Sequence, residues 1–174
     1  MTTTSPVVIG IDSSTTACKA VAFTADGAAV AEARRSYPRS SPHPGWQEQD
    51  PREWWAALSG ALAELTGVLA DHDLHPVAMS ITHQRETFVC LAEHGQPLRP
   101  AILWLDTRAG EQITRLGSLE VHRLSGKPAS TTPSLYKLAW LAEHEPEVLA
   151  KTVVVHEVHG YLVELLTGNR VTSW

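Results

Sequence analysis

Short apolar runs separated by small or polar residues dominate the beginning of the chain. Residues 7–11 and 19–23 are rich in β-branched and other apolar side chains, a pattern typical of buried strands. Asp26-Gly27 is a strong hairpin signal, so residues 28–34 are expected to return as a third strand. The pattern therefore predicts that the chain opens with a three-stranded meander.

A long amphipathic helix is predicted after a proline-rich loop at residues 36–49. Asp50 is the expected N-cap, Pro51 takes the first helical position, and Glu53 is placed to complete a capping box. Apolar residues then recur at helical spacing: Trp54, Leu58, Leu62, Leu65 and Leu69. One face of this helix is therefore expected to pack on the core.

His75-Pro76 is expected to end this helical unit, and residues 77–81 predict the next strand. A strand, a long helix and another strand in succession favour a right-handed crossover onto a parallel strand. The remaining pattern predicts strands near residues 87–91, 101–105 and 153–155, and helices near residues 106–116, 133–141 and 158–167. Helices and strands thus mix along the chain, as in an α/β protein.

Composition and charge narrow the possible classes of protein. The chain has 174 residues, of which 43% are hydrophobic and 19% charged, a balance that excludes a disordered chain and fits one domain over residues 1–174. The net charge of −5 argues against a nucleic-acid partner. Two cysteines, Cys18 and Cys90, lie in apolar stretches and are expected to be buried free thiols. Without a signal peptide or a membrane-spanning run, a soluble cytoplasmic protein with no membrane partner is expected.

Residues 12–19, here called the phosphate turn, carry the first candidate chemistry. Asp12 ends an apolar strand, where a carboxylate can hold hydrated Mg²⁺. Ser14, Thr15 and Thr16 supply N–H and O–H donors for phosphate oxygens, and Lys19 adds a positive charge. The segment is neither a Walker loop nor a dinucleotide fingerprint. A strand follows it, which points to an actin-like, ribonuclease-H-like ATPase; the alternative is an ordinary hairpin with a polar turn.

A second candidate for chemistry is the polyol patch, the name used here for residues 83–87 together with Trp104. Arg85 and Glu86 follow the predicted strand at 77–81 and can bind neighbouring hydroxyl groups as donor and acceptor. The Trp104 ring can cover the C–H surface of a carbohydrate. The alternative is a surface ion pair beside a core tryptophan.

The chain resembles the N-terminal domain of the FGGY carbohydrate kinases, a family that includes glycerol kinase and xylulose kinase. The resemblance rests on segments that occur in the family's order over nearly the whole chain. They are Gly10-Ile11-Asp12-Ser13-Ser14-Thr15-Thr16, Gln84-Arg85-Glu86-Thr87, Trp104-Leu105-Asp106-Thr107-Arg108, Lys137-Leu138-Ala139-Trp140-Leu141, and Tyr161-Leu162 through Leu166-Thr167-Gly168.

This resemblance implies an α/β protein of the actin-like ATPase or ribonuclease-H-like fold, with a mixed sheet and an incomplete N-terminal domain. It implies ATP-dependent phosphorylation of a sugar or polyol hydroxyl in a cleft between two domains, with ATP and Mg²⁺ as cofactors. The implied nucleotide-binding residues are Asp12, which is also the metal ligand, Ser14, Thr15, Thr16 and Lys19. The implied substrate-binding residues are Arg85, Glu86, Trp104 and Asp106; Asp106 ranks lower because it could equally cap a helix.

The family pattern also implies parts that this chain does not carry. The general-base aspartate is expected beyond residue 174, and the adenosine pocket in an absent C-terminal domain, so the chain alone is expected to have no significant kinase activity. Residues 171–174 resemble the beginning of a strand, which favours a truncated domain. The alternative is a non-catalytic truncated relative that binds a sugar or a partner. We also allow for a homodimer of the full-length protein.

The segment His156-Glu157-Val158-His159 places two histidines three residues apart. It lacks the His-Glu-x-x-His spacing of a zinc protease, so a solvated helix start is the preferred interpretation.

Overall fold

Two four-stranded sheets organise residues 5–172, the part of the chain that the computed structural model describes. The first, sheet A, has the strand order β3-β2-β1-β5 and consists of β1 (Ser5–Ser13), β2 (Ala17–Phe23), β3 (Ala29–Ser36) and β5 (Leu74–His83). The second, sheet B, has the order β4-β7-β6-β8 and consists of β4 (Glu48–Gln49), β6 (Phe88–Leu91), β7 (Ala101–Ile102) and β8 (Val154–Glu157).

Sheet A is mixed, as the sequence predicts. Strands β1, β2 and β3 form an antiparallel meander, and β1 pairs with β5 in parallel on its other side. Gly27 has a φ of 86° in the turn between β2 and β3, a conformation that glycine adopts without a steric penalty. The predicted meander and the predicted parallel strand are both confirmed.

Six helices lie in the described part of the chain: α1 (Pro51–Asp71), α2 (Gly110–Leu116), α3 (Leu119–Ser125), α4 (Ser134–His144), α5 (Pro146–Lys151) and α6 (Val158–Thr167). Helix α1 begins as predicted, because the Asp50 carboxylate accepts the Arg52 N–H at 3.0 Å. The predicted capping box does not form, since the Glu53 N–H donates to the Asp50 carbonyl instead. Helix α6 ends at Gly168, whose φ is 74°.

Two apolar clusters form the core. The larger one joins one face of sheet A to α1 and α6, and Trp54 of α1 meets Tyr161 of α6 edge to face at 6.1 Å. The smaller one joins sheet B to α2, α4 and α5 around Phe88, Ile102 and Trp140. Cys18 and Cys90 are buried free thiols, which confirms that prediction.

The prediction that His75-Pro76 precedes the next strand is wrong. Helix α1 ends at Asp71, and both residues lie inside β5. Pro76 is tolerated there because the register between β1 and β5 shifts beside it, and a bulge is a position where the missing proline N–H costs little.

Further boundaries differ from the prediction. The strand predicted at 101–105 covers only Ala101–Ile102, and helices α3 and α5 were not predicted. Helix α2 begins at Gly110 and not at Asp106. His156 and Glu157 lie in β8 and not in a solvated helix start, and His156 is buried with its Nε2 atom 2.8 Å from Glu164 Oε2. Of the strand predicted at 171–174, residues 171–172 are not in a strand, and the remainder lies outside the described residues.

No helix within residues 5–172 is both long and apolar enough to cross a membrane.

Candidate functional site

The phosphate turn and the polyol patch lie at the same edge of sheet A. Strands β1 and β5 run in parallel, and Ser13 at the end of β1 pairs with His83 at the end of β5. The Gln84 N–H donates to the Ser13 carbonyl at 3.0 Å, just beyond both strands. Because the carboxyl ends of parallel neighbours meet at one edge, two segments far apart in sequence become adjacent.

A cleft of about 360 Å³ lies between these two segments. It is lined by Asp12, Ser14 and Thr15 from the turn, by His83, Gln84 and Arg85 from the end of β5, and by Trp104. The Trp104 indole N–H donates to the Thr15 hydroxyl at 3.1 Å and closes one side of the cleft. The structure therefore brings part of the phosphate turn and part of the polyol patch together in one concave surface.

Hydrogen bonds hold the phosphate turn in place but leave two of its backbone N–H groups without an acceptor in the described part of the chain. The N–H and the hydroxyl of Ser14 both donate to the Ala17 carbonyl at 3.0 Å, so this hydroxyl closes the turn. The Tyr37 hydroxyl donates to the Ser14 carbonyl at 2.5 Å. Within residues 5–172, the N–H groups of Thr15 and Thr16 donate to no protein acceptor. Two successive free amides in a tight turn can bind phosphate oxygens.

Asp12 is exposed, and its carboxylate has no hydrogen-bond or ion-pair partner among the described side chains. Burial raises the pKa of the Cys18 thiol to about 11, and the negative charge of Asp12 acts in the same direction. Asp12 thus presents an open negative charge at the edge of the cleft.

Lys19 and Thr16 do not line the cleft. Lys19 is the cross-strand partner of Asp12, and its ammonium group forms an exposed ion pair with Glu32 at 2.8 Å. Thr16 is exposed at the tip of the turn. For these two residues a role in phosphate binding stays a prediction.

Arg85 is the link between the cleft and a second cavity. It is exposed, and its guanidinium group makes no hydrogen bond or ion pair within residues 5–172. It lines the 360 Å³ cleft and also an adjoining cavity of about 490 Å³. A free guanidinium group between two cavities can bind a hydroxyl or phosphate oxygen from either side.

Glu86 lines only the larger cavity, and its carboxylate also caps a helix. It accepts the Ser134 N–H at 2.7 Å and the Ser134 hydroxyl at 2.8 Å at the start of α4, and it forms an ion pair with Lys127. A carboxylate at a helix N-terminus is favoured by the helix dipole. Because a carboxylate has about four acceptor positions, Glu86 keeps acceptor capacity for a ligand hydroxyl.

Asp106 lies behind the cleft and not in it. Its side chain is 0% exposed; it accepts the Gln47 N–H at 2.6 Å and forms an ion pair with Arg108 at 2.8 Å. It also accepts the Arg108 N–H at 2.9 Å, a turn contact that lies ahead of α2. Since both oxygens are committed inside the fold, we leave Asp106 out of the proposed substrate contacts.

A buried polar network supports the cleft, and sequence reasoning missed it. The Gln49 amide oxygen accepts from Trp54 and from Gln84, while its NH₂ group donates to the Thr15 carbonyl at 2.7 Å. Gln84 in turn accepts from the Thr87 hydroxyl, which itself accepts the Trp104 N–H at 3.0 Å. The network thus connects the turn to Trp104 beneath the surface. In the sequence, the only indication of this network is that Gln49 is a polar residue of the loop predicted at 36–49.

Lys137 is a second supporting residue that sequence reasoning assigned only to a motif. Its side chain is 0% exposed, and its ammonium group donates to the carbonyls of Thr131 and Thr132 at 2.9 and 2.7 Å. The Trp104 carbonyl lies 3.4 Å away. Burial lowers the pKa of Lys137 to about 8, although the nearby Asp106 carboxylate opposes the shift.

The Lys137 pKa predicts a pH-dependent contribution to stability. Between about pH 8 and the ordinary lysine value of 10.5, the unfolded chain binds a proton that the folded chain lacks. The free energy of unfolding should therefore gain a contribution that rises across this window and is flat below it. Urea denaturation at several pH values should show the rise in the wild type and not in Lys137→Met. Lys151→Met, at an exposed lysine of α5, is the control, and an equal pH profile for both variants would contradict the assignment.

The cleft residues fit a hydrated magnesium ion better than a protein-enclosed metal. Within residues 5–172 there is no cluster of three or more histidine, cysteine, aspartate or glutamate side chains that could hold an ion. Asp12 is instead an open carboxylate beside free turn amides. Mg²⁺ is commonly held by one or two carboxylates with substrate phosphates and water, so Asp12 fits this role.

Comparison with known proteins shows which family the chain resembles. Residues 7–174 match the profile of the "FGGY family of carbohydrate kinases, N-terminal domain". Xylulose kinase of Streptomyces rubiginosus is 40% identical over 175 residues, which cover 97% of this chain and 35% of that protein. Glycerol kinase of Methylorubrum extorquens is 35% identical over 94% of this chain and 34% of that protein. This chain therefore spans about a third of the length of these curated relatives.

Solved structures give the same result. The crystal structure of xylulose kinase from Rhodospirillum rubrum superposes with a TM-score of 0.90 and 34% identity, over 95% of this chain and 35% of that one. The Plasmodium falciparum glycerol kinase with ADP gives a TM-score of 0.87 and 29% identity, over 95% of this chain and 35% of that one. Together with the mixed sheet, these neighbours confirm the predicted actin-like fold.

Proposed function

Because the chain belongs to the FGGY family of carbohydrate kinases, we propose that it forms part of an ATP-dependent kinase that phosphorylates a hydroxyl group of a sugar or polyol. The observation that supports this most directly is the cleft of about 360 Å³ that the phosphate turn and the polyol patch line together. A kinase must hold a phosphate donor and a hydroxyl acceptor side by side, and this cleft has a candidate group for each.

On the donor side, the free amides of Thr15 and Thr16 bind the terminal phosphates of ATP, and Asp12 holds the magnesium ion. Bound Mg²⁺ neutralises charge on the phosphates during transfer. Ser14 acts through its backbone and shapes the turn, because its hydroxyl is bonded to the Ala17 carbonyl. Lys19 would have to leave Glu32 to reach a phosphate.

On the acceptor side, Arg85 donates to hydroxyl oxygens, Glu86 accepts from a hydroxyl, and the Trp104 ring covers a C–H face. Trp104 is 39% exposed, so its ring is accessible to a ligand. In the reaction, the acceptor oxygen forms a bond to the γ-phosphorus, the bond to the leaving ADP oxygen breaks, and the hydroxyl proton passes to a general base. By the family pattern, we assign that base to an aspartate beyond residue 174.

In this proposal, different parts of a longer protein supply different groups of the active site. Residues 1–174 form a partial N-terminal domain with the phosphate turn and the polyol patch, and a second domain supplies the adenosine pocket. The 174-residue chain alone should then have no significant kinase activity.

The proposal is tested by assaying the intact protein that carries this chain with ATP and Mg²⁺, using D-xylulose, glycerol and a panel of other ketoses and polyols. We expect ADP release that depends on one class of acceptor, together with a phosphorylated acceptor detected by mass spectrometry. ADP release that no acceptor increases would contradict the kinase assignment. Acceptor-dependent turnover by the isolated 174-residue chain would contradict the placement of the general base.

A further inference from the structure

Glu86 has an unusual backbone conformation in the middle of the polyol patch. Its φ is 63°, in the left-handed region that residues with a side chain rarely adopt. Within residues 5–172 the only other residue of this kind, apart from glycines, is Asp73, in the turn between α1 and β5. Such a conformation persists when surrounding contacts hold it in place.

Two sets of contacts hold Glu86. Ser134 and Lys127 bind its side chain, as described above, and the Ser134 hydroxyl also lies 3.2 Å from its carbonyl oxygen. Its backbone N–H has a different partner, because it donates to Oε1 of Glu157 at 2.9 Å. The N–H group of Glu86 and its side chain are therefore held by different residues.

Glu157 reaches the polyol patch on both sides of Arg85. While Oε1 accepts the Glu86 N–H, Oε2 lies 3.6 Å from Nε2 of His83. The His83 side chain is 5% exposed, and its Nδ1 faces the Gln84 carbonyl at 3.2 Å. One carboxylate thus spans the segment that carries the free guanidinium group.

Glu157 lies at a helix N-terminus, where its carboxylate could have capped the helix. It ends β8, opposite Phe88 of β6, and it is the N-cap residue of α6. An acidic residue at this position would ordinarily accept an N–H from its own helix, but Glu157 makes no such bond. Its carboxylate instead contacts His83 and Glu86, where the chain passes from β5 to β6.

We infer that Glu157 is a positioning residue for the polyol patch: it fixes the left-handed backbone of Glu86 and thereby the directions of the Arg85 and Glu86 side chains. This inference rests on the proposed function for its effect on acceptor binding. Glu157 itself need not touch the acceptor. The segment His156-Glu157-Val158-His159 does not by itself indicate this role, since the partners of Glu157 lie about 70 residues earlier in the chain.

The test compares Glu157→Ala with Glu157→Gln in the intact protein. Alanine leaves the Glu86 N–H without its acceptor, and we expect the KM for the acceptor sugar to rise about tenfold while the KM for ATP stays the same. Glutamine keeps a side-chain oxygen at the same reach, so its KM for the acceptor should stay within about threefold of wild type. Glu147→Ala, at an exposed glutamate of α5, is the matched control.

A second measurement does not depend on activity. Hydrogen–deuterium exchange of peptides that contain residue 86 should be faster in Glu157→Ala than in wild type and unchanged in Glu157→Gln. An unchanged exchange rate in Glu157→Ala would overturn the inference even if the protein is an active kinase. Equal rises in both KM values, or a glutamine variant as impaired as alanine, would also overturn it. Failure of the wild type to phosphorylate any acceptor would instead contradict the proposed function and leave the exchange measurement to decide the role of Glu157.

Discussion

Replacing Asp12 by alanine should lower kcat of the intact kinase by about a thousandfold, because removal of a group that stabilises charge at the transferring phosphoryl typically costs 10²–10⁵ in rate. Asp12 is the one carboxylate among the residues that line the 360 Å³ cleft. Its side chain is exposed and has no partner within residues 5–172, so its loss removes no contact that holds the fold. Steady-state kinetics with the best acceptor and saturating ATP measure the effect.

Two comparisons separate this effect from damage to the fold. The thermal unfolding midpoint of Asp12→Ala should lie within about 2 °C of wild type, as expected for an exposed site without partners. Asp71→Ala, at an exposed aspartate where α1 ends, should leave kcat unchanged. If Asp12→Ala retained kcat within about threefold of wild type, the role assigned to the phosphate turn would be wrong.

The largest expected loss of stability belongs to Arg108. Its side chain is 0% exposed and forms ion pairs with Asp106 and Glu48 at 2.8 and 2.7 Å. Its guanidinium carbon also lies 3.8 Å from the Trp46 ring and 5.0 Å from the Trp140 ring. Arg108→Ala would leave the buried Asp106 carboxylate without its ion-pair partner and Glu48 with Arg99 alone, so the free energy of unfolding should fall by about 3–5 kcal/mol. Urea denaturation monitored by circular dichroism measures this loss.

Two further variants, Arg108→Lys and Arg52→Ala, show how much of the stability loss comes from the shape and burial of the Arg108 side chain. Lysine keeps the charge but cannot reproduce the planar fork or the stacking on two indoles, so we expect an intermediate loss of about 1–3 kcal/mol. Arg52 also pairs with an aspartate, but its side chain is 71% exposed, and Arg52→Ala should cost less than about 1 kcal/mol. Equal stabilities of the Arg108→Ala and Arg52→Ala variants would refute the structural role of the buried network.

Local patterns made much of the fold predictable. The meander, the start of α1 at Asp50 and the end of α6 at Gly168 depend on turn and capping residues that act over a few positions. Errors occurred where the local pattern and the tertiary environment disagree. Pro76 reads as a strand breaker, yet a bulge against β1 accommodates it. Asp106 reads as a helix cap, yet its carboxylate is taken by Gln47 and Arg108.

The residues that surround the candidate site were harder to predict than the residues in it. Asp12 and Arg85 could be chosen because each comes after a predicted strand, and parallel pairing of β1 with β5 then brings them to one edge. Glu157 contacts a residue about 70 positions earlier, and Lys137 donates to carbonyl groups of a preceding loop. A glutamate or lysine in isolation is most often a solvated surface residue. Only the folded chain shows that Lys137 is buried and that both side chains are directed at backbone groups.

The Gln49 amide restricts the sequences that can build this cleft. Its oxygen accepts from Trp54 and Gln84, and its nitrogen donates to the carbonyls of Thr15 and Pro38. A glutamate at this position would keep the acceptor and lose both donors, whereas a lysine would do the reverse. We therefore expect few amino acids other than glutamine at position 49 in related sequences, even though this residue lines neither cavity beside Arg85. A different residue there would require simultaneous substitutions at several of its hydrogen-bond partners.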